Sequence, residues 1–132
     1  MDTNNILKDS TILVVDENIL VHRAMQRIFL RQGMDSVFAS RGSHALEIAR
    51  SQNIDAIVLD TQLEDGDGLR LCEQIKSDKD LQHIPVIVIT ALNDPDVHVQ
   101  AFNGGADDFV SKPPQTKVLP VSYTHLTLPT KA

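Results

Sequence analysis

The sequence predicts an α/β fold, a doubly wound parallel sheet of five strands with helices on both faces. Two observations lead there. Short runs rich in valine, isoleucine and leucine alternate along the chain with amphipathic segments, the pattern of strands joined by crossover helices. Two of those runs also stop at carboxylates. Thr11-Ile12-Leu13-Val14-Val15 leads into Asp16-Glu17, and Ile54-Asp55-Ala56-Ile57-Val58-Leu59 leads into Asp60. Near-continuous apolar runs read as strands buried on both faces, and in such sheets ligands bind in the crevice at the C-terminal strand ends. Three carboxylates converging there repel one another unless a cation sits among them.

The elements follow in order. After the first strand, Leu20, Val21, Ala24, Met25, Ile28 and Phe29 form an apolar stripe, which predicts a helix from about Asn18 to Gln32 with Gly33 as its stop. A second strand is expected near Ser36 to Ala39. Ala45, Leu46, Ile48 and Ala49 mark a second helix. Asp67 or Gly66 opens a third, with Leu69, Leu71, Cys72 and Ile75 facing inward. Ile84-Pro85-Val86-Ile87-Val88-Ile89 is the fourth strand, ending in Thr90-Ala91. Asp94-Pro95 reads as an N-cap followed by a first-turn proline, and Gly104-Gly105 closes the helix it opens. Ala106 to Ser111 is the fifth strand, ending in Lys112-Pro113, and a fifth helix begins near Gln115.

The strand ends therefore offer carboxylates, a hydroxyl and an ammonium, in that order along the chain. At this point the chain resembles the response-regulator receiver domain of bacterial two-component signalling. The matching segments are Ile12 to Glu17, Val58-Leu59-Asp60, Asp67-Gly68-Leu69, Pro85 to Ala91 and Gly105 to Pro113. The resemblance runs from about Thr11 to Leu119. It implies a flavodoxin-like sheet of order 2-1-3-4-5.

The resemblance also implies a chemistry. Asp60 is the phosphoacceptor. Asp16, Glu17, Asp60 and the backbone carbonyl of Gln62 form a Mg²⁺ site, and Thr90 and Lys112 sense the phosphoryl group. Phe109 matches an aromatic whose rotamer reports phosphorylation, and a cis Lys112-Pro113 peptide aims the lysine inward. The chemistry is sound: a carboxylate attacks phosphorus when the phosphoryl group is held in line and its charge is neutralised. Mg²⁺ suits a site of hard oxygen donors. Some positions depart from the family. Phe109 stands where tyrosine is common, Leu63-Glu64 replaces a common Met-Pro and predicts a less rigid loop, and Pro114 follows Pro113.

Implied partners are a histidine kinase or a phosphotransfer protein, with the output unspecified and a phosphorylation-dependent dimer left open. In this reading the domain catalyses only its own phosphorylation and dephosphorylation. Two alternatives stand beside it. One is a Mg²⁺-dependent phosphatase with an aspartate nucleophile, of the haloacid-dehalogenase type, although Gln62 holds the place of that type's second aspartate. The other is an interaction module independent of phosphorylation.

Composition narrows the classes. With 12 Lys and Arg against 18 Asp and Glu, the net charge is −6, which argues against nucleic acid or an anionic membrane as a direct partner. No signal-peptide pattern or membrane-spanning run is present in the sequence, so the cytoplasm is the expected location. Cys72 is the single cysteine, which leaves no internal disulfide. Glu64-Asp65-Gly66-Asp67-Gly68 fails the EF-hand pattern, because Leu63 falls at the first ligand position. Asp107-Asp108 reads as a solvated turn. His22, His44, His83 and His98 read as surface or packing residues.

Residues 1–10 form a polar lead-in, and the receiver-like region ends at Leu119. From Pro120 to Ala132 the pattern is no longer that of an amphipathic helix. Val-Ser-Tyr-Thr-His-Leu-Thr-Leu-Pro-Thr resembles the read-through of a transposon-end sequencing adapter. The tail is therefore expected to be a non-native scar. A fifth helix cut short at Leu119 would leave sheet surface beside the first helix partly uncovered.

Overall fold

The computed structural model of the chain describes residues 10–90 and 95–111. Five strands form one parallel sheet: β1 (Thr11–Val15), β2 (Asp35–Ala39), β3 (Ala56–Asp60), β6 (Val86–Thr90) and β7 (Asp108–Ser111). Their order is β2-β1-β3-β6-β7. Counting only these five, it is the expected 2-1-3-4-5. Two further strands, β4 (Gln62–Leu63) and β5 (Gly66–Asp67), make a small antiparallel hairpin directly after β3. The sequence reading did not foresee it. The helices are α1 (Ile19–Arg31), α2 (Gly42–Ser51), α3 (Gly68–Ser77) and α4 (Pro95–Asn103).

Strand alternation divides the core in two. Leu13, Val15, Ile57, Leu59, Val86 and Val88 pack with Ala45 and Ile48 of α2, Leu71, Cys72 and Ile75 of α3 and Ala101 of α4. Ile12, Val14, Val58, Ile87 and Ile89 point the other way, towards Met25 and Phe29 of α1. Each large apolar side chain buried this way contributes about 2 kcal/mol.

Helix ends follow local chemistry. Asn18 caps α1, its side-chain oxygen accepting from Leu20 N at 2.9 Å. At the other end Gly33 takes φ 76°, while Met34 N donates to Phe29 O and Gly33 N to Leu30 O. This paired closure favours a residue without Cβ. Gly105, at φ 96°, closes α4 in the same way. Pro95 does occupy the first position of α4, while Asp94 lies outside the described residues.

One expectation fails. Leu20, placed in the apolar stripe of α1, is 64% exposed, and Ala24 is exposed as well. The buried stripe is narrower because only Met25, Ile28 and Phe29, with Val21 beside them, face the sheet. On the sheet face towards α1, Ile87 and Ile89 are fully buried and Val110 nearly so. The fifth helix and the segment from Pro120 to Ala132 lie outside the described residues.

Candidate functional site at the C-terminal strand ends

Register brings the central residues together. β1 and β3 pair up to Val15 opposite Leu59, so Asp16 and Asp60 stand next to each other one step further on, on strands roughly 4.8 Å apart. Asp16 is fully buried and Asp60 is 5% exposed. Asp16 N donates to Ala39 O at 3.0 Å, which continues the sheet towards β2. Asp16 Oδ1 accepts from Asn18 N at 2.8 Å. One carboxylate oxygen thus organises the entry to α1, while its position at the strand end keeps the carboxylate beside Asp60. Glu17 and Gln62 are both exposed, and Gln62 sits in β4 opposite Asp67. Among the described residues, no three Asp, Glu, His or Cys side chains are gathered about one point as a ready cation cage.

β3 and β6 pair up to Asp60 opposite Ile89, which sets Thr61 opposite Thr90. Their hydroxyls meet at 3.0 Å, and both residues are buried. Thr61 was missed by the sequence reading, because nothing local marks a threonine after an aspartate as a partner of a residue 29 positions away. Alternation also separates the side chains. Asp60 follows Ala56 and Val58 on the α1 side, whereas Thr90 follows Val86 and Val88 on the α2–α4 side. Phe109 packs against that same α2–α4 core.

The segment after Asp60, where Leu63-Glu64 replaces Met-Pro, is closed by backbone hydrogen bonds. The β4–β5 hairpin closes it, Gly68 N donates to Thr61 O at 2.9 Å, and Glu64 N donates to Ser40 O at 3.3 Å. Asp67 caps α3, accepting from Leu69 N at 2.9 Å. Asp65 caps a different helix. Its Oδ1 accepts from Gly42 N at 2.7 Å and its Oδ2 from Ser43 N at 3.1 Å, at the start of α2, where Arg41 offers no side-chain cap. Those bonds hold the Asp65 carboxyl below its ordinary pKa. The acidic stretch that superficially suggests a calcium loop is therefore a pair of helix caps. Gly68 is required sterically: a Cβ there would stand 1.8 Å from Asp60 O.

The comparisons with known proteins agree with this geometry. Residues 12–123 match the family "Response regulator receiver domain". The chain belongs to the response regulator receiver family. It is 35% identical over 109 residues to the transcriptional regulatory protein AfsQ1 of Streptomyces coelicolor, covering 83% of this chain and 47% of that protein. It is 30% identical over 103 residues to the polar-differentiation response regulator DivK of Brucella ovis, covering 78% and 84%. The chain thus spans just under half the length of the first of these relatives. Among solved structures, it resembles the signal receiver domain of a signal transduction histidine kinase from Syntrophus aciditrophicus, with TM-score 0.82, 30% identity and 89% of each chain covered.

Other residues of this receiver serve packing. Asp107 corrects the expectation of a solvated turn. Its Oδ2 accepts from Val86 N at 2.8 Å and pairs with Lys76 Nζ at 2.8 Å. Lys76 Nζ also donates to Ile84 O at 2.7 Å and Gln82 O at 3.3 Å. Asp108 Oδ1 does stay local, accepting from Phe109 N. Cys72 is fully buried, and desolvation pushes its thiol up to about 11, the mark of an inert packing residue. His22 stacks on Phe38 with ring centroids 4.9 Å apart, and partial burial, then the Arg23 charge, hold its pKa below the ordinary value. Lys112 and Pro113 lie outside the described residues, and so does the peptide bond expected to be cis. No helix among the described residues is long and apolar enough to cross a membrane.

Proposed function

We propose that Asp60 of this receiver accepts a phosphoryl group from a histidine kinase or a phosphotransfer protein, in a site completed by Mg²⁺. One observation carries the reading: Asp60 ends a central strand nearly buried, beside the fully buried Asp16. Two carboxylates so placed favour a bound cation. The candidate donors are all hard oxygens, from Asp16, Glu17, Asp60 and the carbonyl of Gln62, a set that fits Mg²⁺ better than a soft metal. When bound, the ion supplies positive charge against these carboxylates and the incoming phosphoryl oxygens.

The chain's own residues do the rest. A carboxylate oxygen of Asp60 forms the new bond to phosphorus as the bond to the donor breaks, giving an acyl phosphate. The Thr90 hydroxyl then donates to a phosphoryl oxygen, and Lys112, carried over from the resemblance, pairs with another. Phe109, on the same side of the sheet as Thr90, follows that movement by changing its packing. Burial of Asp60 and Asp16 keeps water away from the anhydride. The family is regulatory rather than catalytic, which counts against a phosphatase that turns over free substrate. The cytoplasm is the compartment in which this reading places the receiver.

The test is intact mass after incubation with acetyl phosphate and Mg²⁺. The parent gains one phosphoryl group and Asp60→Asn gains none, because the amide is a poor nucleophile. Equal labelling of both ends the assignment of Asp60. Multiple turnover without an adduct indicates the phosphatase, and no reaction in the parent indicates the interaction module. For the domain limits, we propose a receiver over residues 1–119 with an adapter-derived tail over 120–132, although the family match runs four residues further, to 123. The genomic sequence downstream of Leu119 decides between them.

A further inference from the structure

We propose that Thr61 is a positioning residue that latches Thr90 in the resting state and so sets how readily the site takes up a phosphoryl group. The inference rests on the phosphoacceptor reading of Asp60 and adds a residue to it. Thr61 is 8% exposed, and its hydroxyl meets Thr90 Oγ1 at 3.0 Å as its side-chain partner among the described residues. Both threonines lie on the α2–α4 side of the sheet. Asp60 belongs by alternation to the α1 side.

A phosphoryl group on Asp60 is therefore reached by Thr90 only across the end of the sheet. Drawing Thr90 Oγ1 towards it draws that oxygen away from Thr61 Oγ1. Whichever hydroxyl donates in the resting pair, Thr61 is then left buried without its partner, at the cost of an unmade hydrogen bond. The backbone cannot yield to relieve it. Thr61 N donates to Ile89 O, Thr61 O accepts from Gly68 N, and the Gly68 Cα sits tight against the Asp60 carbonyl. Thr61 is thus fixed while Thr90 moves, and the bond between them biases the switch towards rest by the free energy of one buried hydroxyl pair.

The probe is beryllofluoride with Mg²⁺, a stable mimic of a phosphoryl group on a carboxylate, titrated into the parent, Thr61→Val and Thr61→Ser and followed by backbone amide NMR. Thr61→Val keeps the shape and removes the hydroxyl, so half-saturation should fall about three- to tenfold. Thr61→Ser should stay within about twofold of the parent, and Mg²⁺ affinity should not change in either. The melting temperature of the free Thr61→Val protein should fall, while that of the beryllofluoride-saturated protein should not. Equal losses in both forms with unchanged half-saturation mean a merely structural hydroxyl pair and overturn the proposal. Weaker binding by Thr61→Val also overturns it, since Thr61 would then assist Thr90. Thr61→Ala gives the same comparison should the valine variant fail to fold. A parent that binds no beryllofluoride and acquires no phosphoryl group refutes the Asp60 reading itself, and the latch falls with it.

Discussion

At the N-terminal end of the sheet, Asp55 and Asp107 make the same connection twice. Asp55 N donates to Thr11 O, and its Oδ2 accepts from Thr11 N at 2.8 Å. Asp107 N donates to Val86 O, and its Oδ2 accepts from Val86 N at 2.8 Å. Each aspartate precedes its strand by one residue and ties it to the first residue of the neighbouring strand. At the C-terminal end, Asp16 turns its Oδ1 to Asn18 N in the chain that follows it. In a parallel sheet all strands start together with N–H groups to give and finish together with carbonyl oxygens. A carboxylate accepts hydrogen bonds and cannot give them when ionised. Neighbouring strands therefore offer it N–H groups at one end, while at the other its donors come from the following loops, from hydroxyls or from cations. The same residue type fastens the sheet at one end and is available for chemistry at the other.

Substitutions can break or sharpen this contrast. The largest effect is expected from Gly68→Ala, because its Cβ would collide with the Asp60 carbonyl. A loss of about 3 kcal/mol or more in urea unfolding is expected. A variant as stable as the parent would show that the chain behind Asp60 gives way easily. Next comes the N-terminal clamp. Asp107→Ala should cost roughly 2 kcal/mol, since it strips a partner from Val86 N and from the partly buried Lys76. Asp55→Ala, which strips the equivalent partner from Thr11 N, should also cost on the order of 1–2 kcal/mol. Variants as stable as the parent would show that the two clamps add nothing.

At the opposite end, Asp60→Asn should cost no stability without metal. Relief of like-charge repulsion should raise the free energy of unfolding by on the order of 1 kcal/mol. A loss comparable with that of Asp107→Ala would erase the contrast between the two ends. The smallest effect concerns Asp65. Bonds from Gly42 N and Ser43 N lower its pKa, so its contribution is full above the ordinary value of 3.8 and is lost as pH falls through the depressed folded value. Asp65→Asn should therefore flatten the decline in stability below about pH 4. An unchanged acid limb would place the titrating contribution elsewhere.

The site was legible in the sequence to the extent that it depends on strand ends. Asp16, Asp60 and Thr90 each terminate an apolar run, so locating the strands located them. Glu17 and Gln62 were named with them and stand exposed nearby, while Lys112 lies outside the described residues. The capping glycines and Asn18 were legible for the same local reason: a helix end is specified within a few residues. Asp107 was misread because its partners, Val86 and Lys76, become neighbours only when β6, β7 and α3 assemble.

What this sequence determined by itself was therefore the alternation of strand and helix and the carboxylates and hydroxyl at its strand ends, the sheet order following from the family resemblance they carry. Periodicity and capping are properties of short segments, and they survive without knowledge of the rest of the chain. Only the tertiary structure decided that Asp65 caps a helix 23 residues back, that Thr61 meets Thr90, and that Gly68 must lack a side chain. Each of these depends on the distance between atoms far apart in sequence. That distance exists only once the two cores have packed and brought the strands into register.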